Sequence, residues 1–376
     1  MDDSPHFRIG TRGSDLAMWQ AHHVRDLILA HGGTCDITVL STQGDREQVQ
    51  AFEKLEGKGF FTKEIEQALL EDRIDLAVHS HKDLETQQPD GLCIAAVPER
   101  AAAEDVLLIH PRAHRSAPWL PLLSGAVVGT SSVRRRDQLL LLRPDLDIQP
   151  LRGNVPTRVQ RLKEGRYDAI VLAAAGLDRL DLDLGDLLTV RMDPRHFVPA
   201  PAQGALALQM RENDSRVEWL SQLSAPDVPE AIEAERSVLR ALEGGCQLPF
   251  GAHQPNPDAL LRCFLQTEQG PRRIVAPSAQ EALDRLEDQP SRRLVITRVP
   301  KPGDALHRLA TGSGHELIEW PAALPIPLAD STFPPSDIQW IWLGSPAAAR
   351  VVANWLVDHP HIHIATAGPG TADALS

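Results

Sequence analysis

Short apolar strands followed by amphipathic helices recur along the N-terminal half of the chain, and this alternation constrains the fold most strongly. Residues 7–10 predict a strand, and apolar residues at helical spacing from Leu16 to Ile28 predict the helix that follows it. Residues 74–78 predict a buried strand, and the alternation begins again at residues 106–109. Strands that alternate with helices favour the α/β class. The two series therefore predict two α/β lobes.

The C-terminal half follows a different pattern. A helix predicted at residues 233–242 leads into Gly244-Gly245-Cys246, and a strand predicted at residues 260–267 indicates a small α+β third domain. Residues 288–291 are typical of a linker, and a partial α/β segment begins beyond them. We predict domain 1 at residues 1–102 with 198–222, domain 2 at 103–197, domain 3 at 223–290 and a C-terminal segment at 291–376.

The composition limits the class of partner. The net charge of −13 argues against nucleic acid or an anionic membrane as the general ligand. No apolar run approaches the length of a membrane span, and the N-terminus lacks a secretory pattern, so we expect a cytoplasmic protein. The four cysteines show no spacing typical of a disulfide framework or a zinc site.

Arginines cluster at the junctions between predicted strands and helices. Helix N-termini favour anions, and guanidinium groups bind carboxylates or phosphates through two parallel hydrogen bonds. Each arginine alone is more typical of a solvated or salt-bridged surface residue, but together they predict a site for a polyanion. No GxGxxG or Walker sequence is present, so carboxylates are at least as plausible as phosphates. These arginines are Arg12, Arg134, Arg135, Arg152 and Arg158, with Arg136 and Arg179 nearby.

Asp83 follows the strand predicted at residues 74–78 and is the best candidate for acid–base or cation-stabilising chemistry, because Lys82 beside it can tune its ionisation. A structural ion-paired aspartate is the alternative. His79 and His81 have the spacing of a metal pair, but no third ligand follows, so we predict no metal. Lys58 lies between two glycines, which is typical of a mobile ligand-binding loop and equally of a solvated one.

Cys246 is the most unusual thiol of the chain. Gly244 and Gly245 permit a tight turn, and Pro249 stiffens its exit, so the sulfur is predicted at a fixed and accessible loop tip. An ordinary small apolar residue on a turn is the alternative. A thiol hydrolase with His253 as its base is a weaker one, because nothing in the spacing predicts contact between them.

Seven motifs occur in the order found in the hydroxymethylbilane synthase family, also called porphobilinogen deaminase, and the chain resembles that family over roughly residues 6–290. The resemblance is specific, because chance agreement of so many ordered motifs is negligible. The motifs are Thr11-Arg12-Gly13-Ser14, Gly57-Lys58-Gly59-Phe60-Phe61-Thr62-Lys63-Glu64, His79-Ser80-His81-Lys82-Asp83, Gly129-Thr130-Ser131-Ser132-Val133-Arg134-Arg135, Leu151-Arg152-Gly153-Asn154, Pro201-Ala202-Gln203-Gly204 and Glu243-Gly244-Gly245-Cys246-Gln247-Leu248-Pro249.

The resemblance implies two lobes arranged like periplasmic binding proteins and a third domain that carries a cofactor cysteine. It implies that Cys246 holds a dipyrromethane cofactor through a thioether. Porphobilinogen would lose ammonia to give an azafulvene electrophile, which the terminal pyrrole of the bound chain attacks. Four additions followed by hydrolysis would release hydroxymethylbilane, an intermediate of haem and porphyrin biosynthesis.

The resemblance also assigns roles to individual residues. It implies that Asp83 is catalytic, with Lys82 beside it and Lys58 in a mobile active-site loop. His81 replaces a usually apolar residue and Glu85 a usual proline, so the geometry just beyond Asp83 is open. The residues implied to bind the cofactor are Cys246, Arg12, Ser14, Ser80, Lys82, Asp83, Thr130, Ser132, Arg134, Arg135, Arg152, Gly153, Arg158, Arg179 and Gln203.

The segment from about residue 292 resembles the opening part of uroporphyrinogen-III synthase through weaker motifs, at residues 294–298, 342–348 and 367–372. We expect an incomplete synthase-like segment that is structural or binds a separate uroporphyrinogen-III synthase, and a bifunctional fusion is the alternative. We expect a monomeric catalytic unit with porphobilinogen as substrate. A two-lobed module that binds an organic anion without catalysis is the rival function.

Overall fold

In a computed structural model of the protein, the described residues are 4–40, 62–116, 120–243, 248–268, 270–287, 293–296, 316–319, 338–344, 346–366 and 372. Two of the predicted site residues, Lys58 and Cys246, lie outside them. Contacts between Cα atoms divide the chain into a first compact unit of residues 1–140, 145–264 and 274–283 and a second unit that holds the rest.

The described strands and helices up to residue 211 alternate much as the sequence predicts. They are β1 (His6–Thr11), α1 (Asp15–Ala30), β2 (Thr34–Val39), α2 (Lys63–Leu70), β3 (Leu76–Ser80), β4 (Leu92–Ala96), β5 (Asp105–Ile109), β6 (Val127–Gly129), α3 (Val133–Leu142), β7 (Asp147–Gln149), α4 (Val155–Lys163), β8 (Ala169–Ala173), α5 (Ala174–Leu180), β9 (Leu188–Met192) and β10 (Leu206–Arg211). Short 3-10 turns lie at His81–Asp83 and Pro111–Ala113.

Local capping explains where several helices begin. The Ser14 hydroxyl accepts a hydrogen bond from the Ala17 N–H at 3.4 Å, and the Asn154 side chain accepts one from the Thr157 N–H at 2.9 Å. A threonine directly before a helix, as Thr62 is before α2, predicts a side-chain cap. This prediction is wrong for Thr62, whose side chain makes no capping hydrogen bond and whose backbone is helical rather than extended.

The ten strands form two five-stranded sheets, which confirms the predicted α/β class. The first has the order β2-β1-β3-β10-β4 and the second the order β7-β6-β8-β5-β9. In each sheet four strands run in the same direction, and one strand, β10 or β5, runs antiparallel to its two neighbours. The sequence analysis predicted no strand at 92–96, 188–192 or 206–211, so it missed β4, β9 and β10.

Each sheet buries apolar residues against its helices. In the first, Phe7, Ile9 and Leu208 pack with Val24 and Ile28 of α1 and are fully buried. In the second, Leu108, Ile170 and Leu172 pack with the buried face of α4. These cores hold the sheets rigidly, and the strand ends therefore become fixed platforms for polar side chains.

A smaller sheet follows in the chain. It has the order β11-β12-β13, as the predicted α+β domain requires. Among the described residues, no helix is both long and apolar enough to cross a bilayer. The elements are α6 (Val217–Ser221), α7 (Val228–Ala241), β11 (Phe250–His253), β12 (Leu261–Thr267), β13 (Gly270–Ala276) and α8 (Ala279–Glu287).

The C-terminal segment contains a four-stranded parallel sheet of order β15-β14-β16-β17. Its apolar side chains, including Ile341, Leu343 and Val352, are buried against each other. This order places the first strand of the segment between its second and third strands, which is the start of a doubly wound arrangement. The elements are β14 (Arg293–Ile296), β15 (Glu316–Glu319), β16 (Trp340–Leu343), α9 (Pro346–Val357) and β17 (His363–Thr366).

Candidate active site

The carboxyl ends of β1 and β3 lie side by side and bring two of the predicted motifs together. These strands are parallel neighbours, so Arg12 and Ser14 after β1 meet Ser80 and Asp83 at the end of β3. The Gln20 side chain of α1 donates a hydrogen bond to the Ser80 hydroxyl at 2.8 Å. The resulting pocket is lined by Arg12, Ser14, Leu16, Ala17, Gln20, Val78, His79, Ser80 and Asp83.

Lys82 and Asp83 lie in the 3-10 turn that follows β3, and they face different surroundings. Asp83 is exposed at the pocket, whereas Lys82 is partly buried. Burial lowers the pKa of Lys82 to about 8, although the nearby Asp83 carboxylate opposes that shift. The Lys82 Nζ lies 3.5 Å from the Gln203 Oε1. The turn thus presents a carboxylate to the pocket and an ammonium group to the interior.

A buried ion triad lies at the edge of the second sheet. Asp105 accepts hydrogen bonds from the Arg134 Nη1 at 2.7 Å and the Arg135 Nη2 at 2.6 Å. Arg134 also donates to the Val198 carbonyl and Arg135 to the Val171 carbonyl. The sequence predicted both arginines in a polyanion site, and in the structure their side chains are only 5% and 8% exposed.

Sheet topology explains this triad. Because β5 runs antiparallel to β8, its first residue, Asp105, lies at the edge where β6 and β8 end. The helix after β6 begins there, with Arg134 and Arg135 in its first turn. Asp105 was missed by the sequence analysis, since a lone acidic residue at a strand start carries no local signal.

Gln203 connects the triad to the 3-10 turn that contains Lys82 and Asp83. Its Nε2 donates to the Asp105 Oδ1 at 3.0 Å and to the Ala103 carbonyl at 2.7 Å, and its Oε1 faces Lys82. Gln203 is fully buried. The two arginines exceed the single carboxylate by one positive charge, so the region behind Lys82 and Gln203 favours an anionic ligand.

The Asp105→Asn variant is expected to be strongly destabilised. Burial alone would raise the pKa of Asp105, but Arg134 and Arg135 hold it well below its usual range. The ionised Asp105 carboxylate therefore contributes fully to the free energy of unfolding above about pH 4, and this contribution is lost only in strong acid. Breaking such a buried pair costs about 3–5 kcal/mol. Denaturant unfolding measures the loss, and Glu71→Gln in the exposed Arg73 pair is the control. Equal denaturant midpoints for Asp105→Asn and Glu71→Gln would show that the buried triad does not stabilise the fold more than an exposed ion pair.

Arg158 and Arg179 extend the positive region. The Arg158 Nε donates to the Gly153 carbonyl at 2.7 Å, and the Arg179 Nη2 donates to the Gly204 carbonyl at 2.8 Å. Burial lowers the pKa of each guanidinium to about 10, and Arg135 adds to the shift of Arg158. The Arg179 Nε is buried and has no hydrogen-bond partner among the described residues. Such cations gain from an anionic ligand that supplies the missing acceptors.

The remaining predicted binding residues shape the backbone around the triad. The Thr130 hydroxyl accepts from the Ser132 N–H at 3.2 Å, and the Ser132 hydroxyl accepts from the Arg135 N–H at 3.4 Å. Gly153 has a φ of +104°, which a side chain would strain, so this loop requires glycine. Arg152 is exposed, and its carbonyl accepts from the Arg161 Nη1 at 2.7 Å.

His79, His81 and His253 are all held neutral by burial, which lowers the pKa of each imidazole. His79 and His81 are buried, and burial lowers the pKa of His79 to about 4 and that of His81 well below 6.5. The His79 Nε2 lies 3.1 Å from the Gln209 Oε1. No cluster with the composition of a metal site occurs within the described ranges. Burial lowers the pKa of His253 to about 3, which makes it a weak base for any thiol.

Comparison with known families decides what this arrangement belongs to. The family model described as porphobilinogen deaminase, dipyromethane cofactor binding domain, matches residues 7–219, and the model of the porphobilinogen deaminase C-terminal domain matches residues 230–282. The chain belongs to the porphobilinogen deaminase family. The predicted family resemblance is thereby confirmed, and so is its class of activity, hydroxymethylbilane synthesis with a dipyrromethane cofactor.

Individual deaminases are similar over most of their length. A porphobilinogen deaminase of Syntrophobacter fumaroxidans is 47% identical over 249 residues, which cover 65% of this chain and 79% of that protein. One of Acidithiobacillus ferrooxidans is 45% identical over 282 residues, which cover 73% of this chain and 90% of that protein. The range matched by the family model, residues 7–219, contains both five-stranded sheets.

Solved structures of solute-binding proteins are distantly similar. An ancestral cationic amino acid solute-binding protein matches with a TM-score of 0.37 at 13% identity, over 58% of this chain and 87% of its own. The periplasmic VFT2 domain of Bordetella pertussis BvgS matches with a TM-score of 0.35 at 13% identity, over 62% of this chain and 93% of its own.

Proposed function

We propose that this deaminase couples four porphobilinogen molecules onto a dipyrromethane primer on Cys246, with Asp83 as the catalytic carboxylate. The single observation that carries the proposal is the position of Asp83, which is exposed at a pocket shared with Arg12 and Ser80. The pocket lies beside a buried excess of positive charge. A carboxylate that can stabilise cationic intermediates thus lies next to guanidinium groups that can bind the carboxylates of the pyrrole chain.

The described residues fit a dipyrromethane, whose rings carry acetate and propionate groups. Its carboxylates match Arg179, with its unpaired buried Nε, and Arg158. When bound, the group supplies the free pyrrole α-carbon that couples to deaminated porphobilinogen. Arg12, Arg158 and Arg179 would orient its carboxylates. Arg134 and Arg135, whose side chains are buried, would attract the same carboxylates through their positive charge without contacting them.

Asp83 would stabilise positive charge and move protons. Loss of ammonia from porphobilinogen leaves a cation, and a carboxylate beside it lowers the energy of that state. The Asp83 carboxylate would also accept the proton released when the new carbon–carbon bond restores the aromatic ring. Arg158 lies within electrostatic reach of Asp83, although the two side chains come from different sheets. Both sheets therefore contribute to one site.

Cys246 is the favoured attachment point because the other three cysteines are poor nucleophiles. Burial raises the pKa of Cys35 and of Cys93, and it raises the pKa of Cys263 to about 12. A thiol with a raised pKa carries little thiolate near neutral pH. The roles of Cys246 and Lys58 rest on sequence alone.

Turnover of porphobilinogen by the purified chain tests the proposed function. We expect four ammonia molecules to be released for each hydroxymethylbilane that forms. A solute-binding module would instead bind porphobilinogen and return it unchanged. Binding without ammonia release would therefore favour the rival function over catalysis.

The pH dependence of kcat/KM is expected to report Lys82. Its pKa of about 8 is below the ordinary lysine value, so Lys82 is charged below pH 8 and becomes neutral above it. Loss of that charge weakens binding of carboxylates, and kcat/KM should fall as the pH rises through 8. Lys82→Arg stays charged and should shift the fall to higher pH. If kcat/KM of Lys82→Arg falls at the same pH as that of the wild type, Lys82 is not the group whose titration causes the fall.

We propose that the C-terminal segment is a structural or partner-binding appendage. Its parallel sheet agrees with the α/β fold expected from the resemblance to uroporphyrinogen-III synthase. A shared fold supports a relationship to that family but does not support a catalytic role. We expect the purified chain to release linear hydroxymethylbilane. Formation of uroporphyrinogen III by the chain alone would establish the bifunctional alternative. A monomeric state, cytoplasmic location and binding of a separate synthase stay predictions.

A further inference from the structure

Arg236 encloses the catalytic turn from the side of α7. Its side chain is buried, with the whole residue 4% exposed, and it donates to backbone carbonyls on both sides of Asp83. The Arg236 Nη1 lies 3.1 Å from the His81 oxygen and 3.4 Å from the Leu84 oxygen, and the Nη2 lies 2.6 Å from the Glu85 oxygen. One guanidinium therefore spans the whole turn.

The turn has little support of its own. It is a single 3-10 turn, whose hydrogen-bond geometry is poorer than that of an α-helix. The Leu84 N–H donates to the His81 carbonyl at 3.3 Å, and the His81 N–H donates to the Ala205 carbonyl at 3.0 Å. The position of Asp83 therefore depends on contacts made from outside the turn.

Arg240 lies one helical turn further along the same face and offers a natural comparison. Its Nε donates to the Thr86 carbonyl at 3.3 Å, beyond the catalytic turn. Its Nη1 pairs with Glu233 at 2.9 Å, and its side chain is 39% exposed. Arg240 thus shares the helix and the charge of Arg236 but does not touch the residues next to Asp83.

We propose that Arg236 is a positioning residue for Asp83 in the proposed reaction, on which this inference rests. Its planar guanidinium binds the carbonyls of His81, Leu84 and Glu85 together and so keeps the turn in a fixed position relative to α7. This fixes where the Asp83 carboxylate meets the reacting ring. A lysine has a single ammonium group and cannot span these oxygens together. The two departures from the family pattern, His81 and Glu85, both contact this guanidinium through backbone atoms, which side-chain changes leave intact.

A positioning role predicts an effect on the chemical step rather than on binding. The guanidinium groups of Arg12, Arg158 and Arg179 bind anions from other elements, so loss of Arg236 leaves them in place. Displacement of a catalytic group by about 1 Å can cost about 100-fold in rate. We therefore expect a fall in kcat with little change in KM.

Steady-state kinetics of Arg236→Met, Arg236→Lys and Arg240→Met test this inference, each alone and with Asp83→Asn. Arg236→Met should lower kcat about 100-fold and leave KM within about threefold. Arg236→Lys should recover part of the loss, and Arg240→Met should lie within about threefold of wild type. Because Arg236 acts through Asp83, Arg236→Met should slow Asp83→Asn by less than about threefold.

Several outcomes would overturn the positioning role. An equal slowing of the wild type and of Asp83→Asn by Arg236→Met would show that Arg236 acts elsewhere. A raised KM with an unchanged kcat would assign Arg236 to binding. If Arg236→Met fails to fold, Arg236→Lys on both backgrounds supplies the same comparison. Absence of turnover in the wild type would instead contradict the proposed function itself.

Discussion

Asp83→Asn is expected to lower kcat by about 10²–10⁴-fold while the protein keeps its cofactor. Asparagine preserves the shape of the side chain and removes the charge that would stabilise a cationic ring. Asp83 is exposed at the pocket, so folding should tolerate the change. Single-turnover ammonia release measures the chemical step directly.

The matched control for Asp83→Asn is Asp26→Asn, since Asp26 is an exposed carboxylate that pairs with its neighbour Arg25. It should leave kcat within about twofold of wild type. A near-normal kcat for Asp83→Asn would remove Asp83 from the mechanism. Loss of the cofactor from that variant would instead make Asp83 a binding residue.

Cys246→Ser is expected to abolish both the covalent adduct and turnover. Serine has no sulfur for the thioether that holds the primer, and its hydroxyl is too weakly ionised at neutral pH to form the corresponding ether. Without the primer, the arginines have no growing chain to hold. Ammonia release from porphobilinogen should fall to the level of the uncatalysed reaction.

Cys93→Ser is the control for Cys246→Ser, because Cys93 is a half-buried free thiol of β4. That variant should retain both adduct and turnover. Normal ammonia release by Cys246→Ser would show that the chain grows without this tether and would contradict the proposed attachment.

Local patterns in the sequence predicted much of the fold. Ser14 and Asn154 have the residue type and position of helix caps, a signal confined to one turn, and both accept the expected hydrogen bonds. The buried strand before His79 is continuous and apolar, so its end, where Asp83 lies, was predictable. In these cases the determining contacts lie close together in the chain.

Long-range contacts determined what the sequence analysis missed. β10 enters the first sheet antiparallel beside β3, and this pairing places Gln203 next to Lys82. Asp105 became visible as the partner of Arg134 and Arg135 only through the register of β5. Arg236 contacts residues more than 150 positions earlier. Periodicity and capping carry no information about such pairs.

The arginines show how burial changes an interpretation. The sequence predicted one polyanion site, whereas the structure divides its arginines between a buried triad around Asp105 and a set that includes Arg158 and Arg179. The triad stabilises the edge of the second sheet and attracts anions through its positive charge. The other set has N–H groups, such as the Arg179 Nε, that can donate hydrogen bonds to a ligand. Binding energy for each new carboxylate should therefore come mainly from the second set.

Intact-mass measurement of the purified wild-type chain, with peptide mapping of the modified residue, tests the central claim most directly. We expect a mass above that of the sequence by two porphobilinogen units less two ammonia molecules, one lost as the thioether forms and one as the two rings couple, carried on Cys246. A chain with the mass of its sequence alone that still turned over porphobilinogen would contradict it.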